Sequence, residues 1–172
     1  MGRGSESRSA PRVVSGGSNG RIGAVSESEI SIQERLYPES TCFGCGRANP
    51  GGLHLRSYLR PEGVVGTFQP GPAHSNGMGS LNGGIIATLL DCHSGAVVLL
   101  DAAGDADSLT DLWVTAGLEI RYRLPTFLEL PCELHAEITE KDESSIKVKA
   151  TLRYDGKVRV QAESRWAPIP KR

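Results

Sequence analysis

From Leu81 to Asp101 the chain reads LNGGIIATLLDCHSGAVVLLD, with no proline and, before its last residue, a single charge at Asp91. Ile85, Ile86, Leu89, Leu90, Ala96, Val97 and Leu100 cover most of the circumference of a helix with 3.6 residues per turn. A helix apolar on nearly every side has to be buried. Asn82 stands where a cap belongs, and Gly83 and Gly84 follow it into the first turn. A chain of 172 residues has room for one domain with a real core. The rest of that domain must therefore wrap this helix.

The last third of the chain changes period from 3.6 to 2. Leu118, Ile120 and Tyr122 alternate with Glu119, Arg121 and Arg123, and Leu134, Ala136 and Ile138 with His135, Glu137 and Thr139. Ile146 to Tyr154 and Val158 to Ala162 repeat the pattern, with Asp155-Gly156 between them as a hairpin turn. Such strands have one apolar and one wet face and build an antiparallel sheet packed on one side. Upstream, Leu53 to Leu59 and Val64 to Phe68 are strand-like and flank the turn Pro61-Glu62-Gly63. The order β-β-α-β-β-β-β predicts an α+β domain in which a curved sheet surrounds one helix.

Residues 42–168 form that domain, and 29–41 a short helix (Ile30 to Leu36, ended by Pro38) or linker. Residues 1–28 are rich in Ser, Gly and Arg with almost no large apolar side chains, which predicts a disordered tail. The tail has neither the apolar stretch of a secretory signal nor the apolar stripe of a transit peptide, and Glu6 departs from the myristoylation pattern. With Cys42, Cys45, Cys92 and Cys132 forming no obvious disulfide framework, a reducing, cytoplasmic setting is expected. The formal net charge of -1 gives no pull toward nucleic acid or an acidic membrane surface. No apolar run approaches the roughly 20 residues of a membrane span.

Two places in the helix segment carry candidate chemistry. The first N–H groups of a helix lack internal partners and sit at the positive end of its dipole. At Gly83 and Gly84 a ligand oxygen could reach them without meeting a side chain, as in an oxyanion or phosphate site; close helix packing would use the same glycines. Asp91 is a lone acid among Leu89, Leu90 and Cys92. Burying such a carboxylate is costly, so it should face a cleft or interface, and desolvation should raise its pKa.

The stretch AHSNGMGSLNGGIIATLLD resembles the active-site segment of hotdog-fold acyl-CoA thioesterases of the phenylacetate-degradation (PaaI-like) type. That pattern reads roughly His-x-Asn-x-x-Gly-x-x-His-Gly-Gly, with Asp at the seventh position after the second glycine. Its register is kept from His74 and Asn76 through Gly79, Gly83 and Gly84 to Asp91. WVTAGLEIRYRLP resembles the family's next strand, with Thr115 at its Ser/Thr position, and CFGCGRANPGGLHLR an entry loop of some hotdog subfamilies. The resemblance spans roughly residues 42 to 166. It implies hydrolysis of acyl-CoA-type thioesters by a homodimer or homotetramer, with no cofactor beyond the coenzyme A of the substrate and no metal.

Residue by residue, the resemblance implies that the Gly83 N–H polarises the thioester carbonyl. Asp91 of the other subunit acts as general base or nucleophile, Asn76 orients the water or the carboxylate, and Thr115 hydrogen-bonds the water. Gly84 and His74 contact substrate. Asn82 replaces the family's histidine before the two glycines; its amide can donate to a carbonyl or cap the helix but cannot carry a proton. Two other readings stay open: a hotdog protein that binds acyl thioesters or another apolar ligand without turnover, and, last, a hydratase or dehydratase.

Other residues read as structural. His93 lies about 200° round the helix from Asp91 and is expected to pack. Cys42 and Cys45 have metal-ligand spacing, but His54 and His74 do not complete a recognisable site, leaving a turn with two small residues. Cys92 lacks a base for nucleophilic work. Arg121, Arg123, Lys147, Lys149, Arg153 and Arg159 fall on wet strand faces, where solvation is expected, though they could meet coenzyme A phosphates at the rim.

Overall fold

Six strands, each antiparallel to its neighbours, curve round one 21-residue helix. The computed structural model describes residues 29–109 and 111–169, so the tail expected at 1–28 lies outside the described residues. The elements are α1 (Ile32–Leu36), β1 (Arg56–Arg60), β2 (Gly63–Phe68), a 3-10 turn (Pro72–His74), α2 (Gly83–Ala103), β3 (Trp113–Tyr122), β4 (Cys132–Lys141), β5 (Ile146–Tyr154) and β6 (Lys157–Pro168). The sheet order is β1-β2-β4-β5-β6-β3, which leaves β1 and β3 as the edges. This is the α+β hotdog arrangement expected.

α2 forms where the sequence expects it. Asn82 caps it, its Oδ1 accepting from the Gly84 N–H at 2.8 Å. Leu89, Leu90, Ala96 and Val98 are fully buried against the inward faces of the strands, where Leu134, Ala136, Val148, Ala150, Leu152 and Val160 meet them. Each large aliphatic side chain buried there contributes about 2 kcal/mol. The helix is nevertheless long and apolar enough, by length and composition, to cross a membrane, which the expectation of no run near 20 residues overlooked. Here it is the core helix of a sheet.

Both turns fall in place. Pro61 and Glu62 join β1 to β2, with Arg60 opposite Gly63. Asp155 and Gly156 both take positive φ, 50° and 68°, in the tight turn joining β5 to β6. β1 begins later than the apolar pattern at Leu53 suggests, because His54 interrupts the extended chain with φ 52°.

Packing starts before Cys42. Ser31 and Glu34 close a capping box on α1, and Glu34 pairs with Arg47. Ile32, Gln33 and Leu36 are buried, so this helix is built onto the domain. Gln33 Nε2 donates to Ser57 Oγ at 3.0 Å, and Ser57 Oγ lies 2.9 Å from His93 Nδ1. His93 Nε2 lies 3.1 Å from the Val64 carbonyl, which only accepts, so that nitrogen carries the proton. Nδ1 then accepts from Ser57, and the fully buried imidazole is satisfied on both sides. His93 is the packing histidine its position predicts.

Candidate active site

Asp91 emerges from the core helix at its half-covered flank, beside β3. Its Oδ1 accepts a hydrogen bond from Thr115 Oγ1 at 2.7 Å. A change of parity in β3 makes this contact possible. Leu118, Ile120 and Tyr122 turn toward α2, and strict alternation would send Thr115 to the other face. The pairing with β6 shifts between Thr115 and Gly117, so Ala116 is the extra residue of a β-bulge. The bulge brings Thr115 onto the helix side. Burial holds the Asp91 carboxyl above the ordinary carboxylate range; the Thr115 hydrogen bond pulls it down and the charge of Cys42 pushes it up.

Gly83 opens the same helix eight residues earlier. At 1.5 Å per residue that is about 12 Å from Asp91, too far for both to act on one carbonyl within a single chain. Its surroundings are open: a Cβ at this position would come no nearer than 3.6 Å to any neighbour, and that neighbour is the Tyr122 hydroxyl. Tyr122 Oη donates to the Gly83 carbonyl at 2.8 Å, tying the end of β3 to the start of the helix. Gly83, Tyr122, Asn76, Ser80 and Ile86 line a hollow of about 360 Å³ that continues along Arg123–Thr126. The alternation by itself makes Tyr122 only a strand-face residue. Its position at the end of the inward set with Leu118 and Ile120 was the available signal.

The loop before the helix is organised by the residues expected to touch substrate. Asn76 Oδ1 accepts from the N–H groups of Met78 (2.8 Å) and Ser80 (3.2 Å), and Asn76 lines the hollow. His74 Nδ1 accepts from the Gly71 N–H at 2.9 Å, and its ring lies against Phe68, so His74 shapes the turn. Asn82 is exposed and spends its amide oxygen on the Gly84 N–H. Its amide nitrogen remains to donate to a ligand, and Gly84 is thereby partly committed to the cap. Within one chain there are thus two half-sites, Asp91–Thr115 at one end and Asn76–Gly83–Tyr122 at the other.

The turn holding Cys42 and Cys45 packs on α2 beside Asp91, and the third sulfur there is Cys92, which spacing could not reveal. Cys42 and Cys92 lie 3.6 Å apart at Sγ. Hydrogen bonding from Cys92, helped by the N–H groups of Cys45 and Gly44, lowers the Cys42 thiol to about 5. Hydrogen bonding with Cys42 and Cys45, together with burial, pushes Cys92 well up. A larger hollow of about 560 Å³ lies on the outer sheet face among Glu119, Lys147, Lys149, Glu163 and Arg165, where the charges compensate one another and no candidate residue reaches.

No protein-family model matches the sequence, and no curated protein does. Solved structures do. A thioesterase superfamily protein from Shewanella loihica PV-4 is 30% identical, over 67% of this chain and 91% of that one, with a TM-score of 0.56. A phenylacetic acid degradation-related protein from Ralstonia eutropha JMP134 is 18% identical over 80% of this chain and 98% of its own, with a TM-score of 0.63, and shares the fold. A Bacillus halodurans protein solved with CoA is 24% identical over 61% and 66%, with a TM-score of 0.55. The chain, with its hotdog sheet around one helix and its coverage of the Shewanella protein, belongs to the thioesterase superfamily.

Proposed function

We propose that this protein hydrolyses acyl-CoA thioesters as a homodimer of the PaaI-like type, with Asp91 of one copy working opposite Gly83 of the other. The observation that carries the reading is the Asp91–Thr115 pair: a half-buried carboxylate with a raised pKa, aimed by a hydroxyl and held beside an open strand edge. A carboxylate in that state is a competent base near neutral pH. The split into two half-sites supports the dimer, because only a second copy can bring Gly83 to Asp91.

The edge of β3 offers the seam. Val114 and Tyr122 on the strand, and Leu112 and Leu124 flanking it, are all exposed large apolar residues, and one side of the strand has unpaired backbone groups. Pairing β3 with its copy about a two-fold axis would cover them and set the half-sites face to face. In the reaction, Asp91 takes a proton from water as the water oxygen bonds to the thioester carbon. The Gly83 N–H holds the developing oxyanion, the C–S bond breaks as the intermediate collapses, Asp91 returns its proton to the departing thiolate, and free acid and CoA thiol leave. Asn76 would orient the water or the carboxylate. Asn82 would donate to the carbonyl through its amide nitrogen and carry no proton. Gly84 and His74 would shape the walls.

Coenzyme A is the first handle to try because the Bacillus halodurans protein of this fold was solved with CoA. Purified protein is given a panel of aliphatic and aromatic acyl-CoAs and free thiol is followed with a chromogenic reagent, beside Asp91→Ala. Thiol release that falls by about 100-fold or more in the variant supports the reading. Tight acyl-CoA binding without release replaces it with a binding role, and release that survives Asp91→Ala removes Asp91 from the mechanism.

A further inference from the structure

Next to the candidate active site the structure gathers a second group of reactive side chains. The sulfurs of Cys42, Cys45 and Cys92 all lie within 4.8 Å of one another, and that between Cys42 and Cys92 is 3.6 Å. In a tetrahedral zinc–thiolate centre with Zn–S about 2.3 Å, ligating sulfurs stand about 3.8 Å apart. The thiols therefore already occupy three corners of such a site with little adjustment.

The backbone is shaped for it. Cys42–Cys45 is a Cys-x-x-Cys turn closed by the Gly46 N–H on the Cys42 carbonyl at 2.9 Å. Glycine is required twice here: a Cβ on Gly44 would lie 2.3 Å from the Cys92 sulfur, and one on Gly46 would lie 2.4 Å from the Cys42 nitrogen.

We propose that Cys42, Cys45 and Cys92 bind a thiophilic divalent cation, zinc first, with the fourth position open on the exposed Cys42 side. Three thiolates select zinc over magnesium or calcium, whose preferred ligands are oxygens. Among the described residues no further histidine, cysteine or acid joins the group, and Asp91 Oδ1 is engaged by Thr115, so the fourth ligand is water or an incoming thiol. Three protein ligands with one open position is the arrangement of zinc sites that take an exogenous fourth ligand, unlike closed four-ligand structural sites. The cation would pin the turn to α2 at the residue after Asp91 and so stiffen the wall of the active site. It takes no part in the hydrolysis above.

The full chain is purified under reducing conditions, stripped with a chelator and titrated with cobalt(II). One equivalent is expected to give the visible bands of tetrahedral coordination and a near-ultraviolet thiolate charge-transfer band, with zinc displacing it. Cys42→Ser and Cys92→Ser should each weaken binding by about 100-fold or more, while Cys132→Ala, outside the cluster, binds as the parent does. If a serine variant loses its circular dichroism, the parent decides alone: zinc should slow modification of three thiols, and chelator should restore it. Reduced parent protein that gives no cobalt spectrum and no zinc protection overturns the site. So does a Cys42–Cys92 disulfide whose reduced form takes up no metal.

Discussion

Thr115 donates to Asp91 across 2.7 Å only because Ala116 bulges out of β3 and reverses the strand's parity. The hydroxyl thus fixes the carboxylate's rotamer without neutralising it, and each residue depends on the other for its effect on a substrate. Thr115→Val keeps the shape and removes the donor. Thiol release should fall by about 10- to 100-fold, the worth of a hydrogen bond to a charged group, with circular dichroism unchanged. Thr115→Ser should retain most of the activity. A valine variant as active as the parent would detach the bulge from the function.

The pH profile should carry the same signature. Burial raises the Asp91 carboxyl, and the base must be ionised to act. kcat/KM should therefore decline on the acid side at a pH above the ordinary carboxylate range. Thr115→Val should move that limb further up, because the bond it deletes favours the charged form. The comparison of the two profiles under identical acyl-CoA concentrations checks this.

Gly83→Ala separates a chemical from a structural role for the glycine. The new methyl meets nothing closer than 3.6 Å, so the fold should keep its melting temperature. The methyl would stand beside the N–H that a carbonyl oxygen must approach, so kcat/KM should drop by about 10-fold or more. Unchanged activity would place the oxyanion donor elsewhere.

His93 predicts a pH-dependent stability unrelated to the reaction. Burial lowers its pKa from 6.5 to about 4. The unfolded chain then binds more protons than the folded one between those values, so stability is complete above about pH 6.5 and falls as the pH drops toward about 4. The loss should be on the order of 3 kcal/mol. Urea midpoints measured with chelator present, so that no metal contributes, should show the decline, and His93→Gln should flatten it.

Much of this was legible from the residues. The apolar circumference of Ile85 to Leu100, the cap at Asn82 and the alternating strands specify a helix inside a sheet, and Asp91 is visible as a charge out of place. Three things were not. The bulge at Ala116 leaves no mark in a period-two pattern, so nothing in the alternation itself puts Thr115 on the face it occupies. Tyr122 reaches Gly83 only through the closure of β3 over the helix start. Cys92 joins Cys42 and Cys45 from fifty residues away, a contact that depends on loop packing and not on spacing.

In the proposed dimer each active site takes Asp91 from one copy and Gly83 from the other, and mixing of subunits tests this sharing. Asp91→Asn and Gly83→Val homodimers, each inactive in thiol release, are mixed in equal amounts under conditions that let subunits exchange. Half of the reassorted dimers would then carry one intact site, and activity should return to about a quarter of the parent's. A mixture that stays as inactive as its components, with heterodimers demonstrated by mass, would contradict the shared site.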